Sequence, residues 1–151
     1  MMNDMGSLFR TVAVAFGILC LVGTSCTKEE INPYLDSIWN GQYPVQTLNG
    51  TTGEMEDHIG TITLEFVDGG RSCRIFTGIA GMIGMNMHKY DARWTGKGQV
   101  SLYDKSGEQS IVVYSGVISD SGTEMVLQAL NCDSVAATYK LLRDKNCWAY
   151  N

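Results

Sequence analysis

The 151-residue sequence is short of the residues that build metal, phosphate and nucleic-acid sites. It holds two histidines, His58 and His88, with no His-x-x-x-His or Cys-x-x-Cys pair, which argues against zinc. Lys and Arg number 11 against 16 Asp and Glu, for a formal charge of −5, and no basic cluster offers phosphate neutralisation, so nucleic acid is not an expected partner. No Gly-x-Ser-x-Gly elbow, Gly-Lys-Ser/Thr loop or calcium-loop spacing is present. Asp104-Lys105-Ser106-Gly107-Glu108 places its Gly too early for calcium and reads as a hairpin turn. The glycines of Gly78-Ile79-Ala80-Gly81-Met82-Ile83-Gly84 have the wrong spacing for a dinucleotide loop, and no strand–helix alternation follows them. These absences predict a protein that is not an enzyme and takes no cofactor or metal. Nor does any run approach the roughly 20 apolar residues of a membrane-spanning helix.

What is present begins with an unusual N-terminus. Arg10 precedes the uncharged run Thr11–Gly23 (TVAVAFGILCLVG), too short to span a bilayer but matched to the apolar centre of a secretory signal. It ends in Gly23-Thr24-Ser25-Cys26, small residues that let a peptidase approach, followed by a thiol that can accept lipid. Cys20 is a poor alternative because Ile18 and Leu19 precede it. Lys28-Glu29-Glu30 follows directly. The expected organisation is a signal peptide over 1–25, an acidic tether over 26–35 and one domain over 36–151.

From Ser37 onward, short strand-like segments alternate with turn residues and no helical period appears. Strands are predicted over 37–47, 58–67, 71–77, 85–95, 98–104, 109–118, 123–130 and 135–143. Asp68-Gly69-Gly70, Gly96-Lys97-Gly98, Lys105-Ser106-Gly107, Asp120-Ser121-Gly122 and Asn131-Cys132-Asp133 supply tight turns between them. Such spacing predicts an all-β, antiparallel up-and-down barrel or sandwich of about eight strands. Period-two alternation assigns an inner face to Trp39, Gly41, Tyr43 and Val45; to Ile62, Leu64 and Phe66; to His88, Tyr90, Ala92 and Trp94; to Met125, Leu127 and Ala129; and to Val135, Ala137, Tyr139 and Leu141. The sixth strand, IVVYSGVI, is apolar on both faces, so its outer side should be covered by a terminal segment or a partner.

Two short signatures, Asp36-Ser37-Ile38-Trp39-Asn40-Gly41 and Tyr139-Lys140-Leu141-Leu142-Arg143, resemble the first and last strands of the small lipocalin-like, or calycin-like, lipoproteins of Bacteroidetes. Gly23 to Cys26 resembles the lipobox of bacterial lipoproteins, and Lys28-Glu29-Glu30 the signal that sends Bacteroidetes lipoproteins to the outer face of the outer membrane. The resemblance implies a lipocalin-like barrel in the cell envelope, surface-exposed and held to the membrane by lipid on Cys26. It also implies a Trp39/Arg143 closure of the barrel floor, with Ser37 standing where the family has Gly. Asp36-Ser37-Ile38 and Asp133-Ser134-Val135 resemble the Bacteroidetes O-glycosylation acceptor.

With loops alternating between the two ends of such a barrel, Cys73 and Cys147 fall at the closed end and Cys132 at the open one. A strand of roughly 30 Å would separate Cys132 from Cys147, against about 5.5 Å for a disulfide. A Cys73–Cys147 bridge with Cys132 free is therefore expected. His88, Tyr90 and Trp94 on the inner face, and Met82 and Met85 in the apolar loop at the mouth, are the ligand-binding candidates. That loop either presents a binding surface or folds down as a lid on the core. The function expected is a lipid-anchored envelope protein that binds a small apolar or aromatic ligand. The alternative is a protein-interaction module with a filled interior and an envelope protein as partner.

Overall fold

Alternation of apolar and polar residues over short runs cannot be satisfied by a helix, and the chain resolves it as a single closed sheet. The computed structural model describes residues 32–96 and 98–145. Cys26, Cys147 and the leader over 1–25 lie outside them. Eight antiparallel strands follow one another around a closed barrel: β1 (Ile38–Leu48), β2 (Met55–Val67), β3 (Ser72–Ile79), β4 (Met85–Trp94), β5 (Gln99–Asp104), β6 (Ile111–Ile118), β7 (Glu124–Ala129) and β8 (Thr138–Arg143). The predicted all-β up-and-down barrel is the observed one.

Turn chemistry sets the hairpins. Between β2 and β3, Asp68, Gly69 and Gly70 all take positive φ, at 58°, 63° and 78°, a left-handed path that suits Gly and Asp. Closure needs a second glycine. A Cβ on Gly41 would lie 2.7 Å from the carbonyl oxygen of Lys140, so only a bare α-carbon lets β8 close against β1. That seam is short: Trp39↔Arg143, Asn40↔Leu142 and Gly41↔Leu141. Above it stands Pro44, which has no N–H to extend the ladder.

The inner face near the β2–β3 turn is apolar and filled. Trp39, Leu64, Leu102, Leu127 and Cys73 are all 0 % exposed, with Ile62, Phe66, Val100, Met125 and Leu141 packed among them. Below this layer the chain entering the barrel forms a turn over 33–36. Residues 33–35, expected to end the tether, belong with Asp36 to the barrel floor. The Tyr34 ring lies 6.0 Å from Trp39 and stacks at 6.3 Å on Trp94. Arg143 sits 5.0 Å over the other aromatic partner in this stack, Tyr34, and donates from Nη2 to the Pro33 carbonyl at 2.8 Å. The Trp39/Arg143 closure therefore has Tyr34 between its two members. Ser37 is explained by the same floor. Its buried hydroxyl accepts the Trp39 indole N–H at 2.7 Å and donates to the Tyr34 carbonyl at 2.7 Å, which also takes it out of reach of a glycosyltransferase.

Two sequence expectations need correction. β8 begins at Thr138 rather than 135, and Val135 and Ala137 are exposed. The reason is local: the Tyr139 hydroxyl bonds the Ser134 hydroxyl and accepts the Ala136 N–H, curling residues 134–136 out of the ladder. The sixth strand has no wholly apolar outer face to cover. Leu102 pairs with Tyr114 and Tyr103 with Val112, so Val113 is an extra residue in a bulge and both Val113 and Tyr114 are buried. Val117 remains exposed on the outside, opposite the equally exposed Val126.

Candidate functional site

Strand lengths differ around the barrel. β1 to β4 run 11, 13, 8 and 10 residues, while β5 to β8 run 6, 8, 6 and 6. The first four thus form a wall that rises past the other four at the end away from the floor. The inner side of this tall wall is the candidate site, a cup open to solvent.

Cross-strand partners share a face, so the lining follows from the register. Tyr43 pairs with Gly60 and Val45 with His58; Thr77 pairs with Asn86 and Ile75 with His88. All lie on the face that carries Trp39. Tyr43, Val45, His58, Thr77 and Tyr90 are half-buried, and Asn86 and His88 are exposed. A Cβ on Gly60 would fall 2.5 Å from Tyr43 Cε2, so the tyrosine ring fills the space the glycine leaves.

Four tyrosines floor the cup. Tyr43 meets Tyr139 edge-on at 5.1 Å, and Tyr90 meets Tyr114 edge-on at 5.8 Å. His88 stacks on Tyr90 at 6.3 Å with ring planes 22° apart, leaving its other face toward solvent. Burial pushes the phenols of Tyr43, Tyr90 and Tyr114 above their ordinary range, with smaller contributions from neighbouring groups, Tyr139 at Tyr43 and Cys132 at Tyr90 and Tyr114. They stay neutral donors at physiological pH. Cys132, half-buried, points its thiol at the Val113 carbonyl at 3.4 Å. At the rim, the Asp104 carboxyl is held below its ordinary range, chiefly by hydrogen bonding to Ser106, with His88 adding to the effect. His58 Nε2 lies 3.6 Å from a Glu56 carboxylate oxygen. Two acidic groups beside the cup disfavour an anionic guest. Ring faces and neutral hydroxyls favour a planar or apolar one. Among the described residues no group of three or more His, Cys, Asp and Glu is placed to hold a metal ion.

The structure divides the sequence candidates. His88 and Tyr90 stand together in the cup. Trp94 does not join them: its ring lies 4.9 Å from Phe66, and its indole N–H donates to the Gly70 carbonyl at 3.0 Å, so it belongs to the floor. Met82 is exposed on the β3–β4 loop and Met85 at the start of β4, where Met85 pairs with Gly78 on the outer face of the wall. The loop is not a lid on the core. Cys73 is fully buried on the inner face with no disulfide partner among the described residues, and its expected bridge to Cys147 lies outside them. His58 and Tyr114 join the cup without having been singled out in the sequence. The parity of β2 from Ile62 back to His58 could have found the first. The bulge at Val113 hid the second.

No protein-family model, no curated protein and no solved structure matches this chain.

Proposed function

We propose that this chain is a lipid-anchored protein of the bacterial cell envelope that binds a small apolar or aromatic molecule in the cup at the open end of its barrel. The observation that carries the reading is the solvent-facing His88–Tyr90 stack above two edge-to-face tyrosine pairs. Aromatic groups gain area when they are covered, and the hydroxyls of Tyr43 and Tyr90 supply polar handles to orient a guest. The anchor at Cys26 and placement on the outer membrane surface rest on the leader, the Cys26 context and Lys28-Glu29-Glu30. The lipocalin-like identity rests on the Trp39 and Arg143 signatures. The packing of residues 33–36 beneath the floor supports a tether that reaches the barrel at its closed end, with the cup turned away from the membrane.

The second reading, a protein-interaction module, is favoured by the mouth loops. Leu48, Met55, Met82, Ile83, Met85, Ile111, Leu130 and Val135 are exposed there. Fluorescence titration with N-phenyl-1-naphthylamine, a neutral aromatic probe, separates the two readings. The cup predicts enhancement that weakens on the order of tenfold in a Tyr90→Ala, His88→Ala double variant and persists in Leu48→Ser. A wild-type protein that leaves the probe dark, yet retains an envelope protein through those loops, refutes the ligand reading.

A further inference from the structure

The tall wall has a free edge whose sequence is complementary to itself. In β1 the backbone direction of each residue follows from its bonds. Phe66 N donates to Ser37 O at 3.0 Å and Asn49 N to Glu54 O at 2.8 Å, whereas Asp144 N donates to Ile38 O at 2.8 Å. Odd-numbered residues therefore bond β2, and even-numbered ones face β8. Since the β1–β8 ladder ends at Gly41↔Leu141, the N–H and C=O of Gln46 and Leu48 point to an open edge with no strand beside them among the described residues. Proteins blunt such edges with charge, bulges or proline. The far edge of this ribbon has Glu56 and Asp57, and the free edge of β4 has Lys89. Val45-Gln46-Thr47-Leu48 has no charge at all, and its only guard is Pro44 at the base.

We infer that this edge pairs antiparallel with the same edge of a second copy of the chain, about a two-fold axis at Thr47. In that register Gln46 of each copy faces Leu48 of the other, and both exchange their N–H and C=O bonds, so no backbone group of either residue is left open. Thr47 meets its own symmetry mate in the closely spaced type of pair, where two threonine hydroxyls can bond. On the outer face the Gln46 stem packs against the partner copy's Leu48, which is 66 % exposed in the monomer. Gln46 Nε2 is already held by Asp57 at 2.8 Å, so the amide is fixed in place for its neighbour. The acidic β2 strands end up on the outside of a four-stranded sheet, away from each other. A charged peptide segment would find no complementary charge here. A second copy brings the matching pattern by symmetry.

Sedimentation velocity of the full chain in nonionic detergent, across a concentration series, should show a reversible monomer–dimer equilibrium. Thr47→Lys sets two ammonium groups against each other and should weaken it on the order of a hundredfold. Leu48→Pro removes an N–H that β2 does not use, and should weaken dimerisation while leaving the far-ultraviolet circular dichroism unchanged. Under mild oxidation Thr47→Cys should yield a peptide linked to its own copy, because closely spaced pairs have α-carbons about 4.5 Å apart, within the range of a disulfide. Asn40→Cys, inside the closed wall, should not. A chain that stays monomeric throughout, or a dimer that survives both edge variants and gives no Thr47→Cys link, overturns the inference. So does a different polypeptide found paired at this edge.

Discussion

The two ends of the barrel use the same kind of residue for opposite purposes. At the closed end Tyr34, Trp39, Phe66 and Trp94 interlock, and four side chains of the plug have fixed hydrogen-bond partners there: Trp39 on Ser37, Ser37 on Tyr34, Trp94 on Gly70 and Arg143 on Pro33. At the mouth Tyr43, Tyr90, Tyr114 and Tyr139 pair edge-on and His88 leans out. The loops differ in the same way. Turns at the floor are polar or Gly, whereas the β3–β4 and β7–β8 loops at the mouth carry exposed Met82, Ile83, Leu130 and Val135. One end is satisfied internally and the other is left with apolar surface and hydrogen-bond donors to spare. On the proposed reading, stability and recognition sit at separate ends, and recognition surfaces are drawn from the less stable part of a fold.

The largest expected break in this contrast is Trp39→Ala. Removing a fully buried indole at the floor should cost about 3–5 kcal/mol in denaturant unfolding. His88→Ala, a change of comparable chemistry on exposed surface at the mouth, should stay within about 0.5 kcal/mol. Equal losses at both sites would mean the cup is as much a part of the core as the plug. A second contrast uses the thiols. Burial pushes the Cys73 thiol far up, and the side chain is 0 % exposed, so alkylation must await unfolding. Cys132 is half-buried at the mouth and should react in the native protein on the order of a hundredfold faster, read by peptide-mapped alkylation. Matching rates would show the floor opening as readily as the rim.

Much of this division was legible in the residues. Asp68-Gly69-Gly70 can hardly be anything but a hairpin turn, and alternation through Ile62, Leu64 and Phe66 marks an inner face. Trp39 and Arg143 meet as cross-strand partners, but Tyr34 between them was invisible, because a short turn before the first strand has no periodicity to read. Trp94 shares parity with Tyr90 and so looked like a cup residue. Parity tells which face a side chain takes, and not how far along the barrel it sits, so Trp94, four residues further along the same strand, landed in the plug. The tall wall was also hidden. Strand length depends on pairing across the barrel, and the acidic Glu56 and Asp57 that extend β2 opposite Thr47 and Gln46 are weak strand formers by themselves.

The smallest expected effect tests whether the mouth tyrosines belong to the folded interior at all. Burial raises the phenols of Tyr43, Tyr90 and Tyr114 above the value of about 10 they have in an unfolded chain. A group whose folded value lies higher binds its proton more tightly in the native state. The stability it contributes is therefore whole below pH about 10 and is lost as pH rises through the folded value. Unfolding midpoints in urea should be flat with respect to these groups at neutral pH and fall above pH about 10. Tyr90→Phe has no phenol to ionise, so its midpoint should fall less over that window than the wild type's, by a margin smaller than the Trp39 effect because Tyr90 is only half-buried. Parallel curves for the two proteins would mean that Tyr90 ionises as freely in the fold as out of it, and that the cup extends one layer deeper than its exposed histidine.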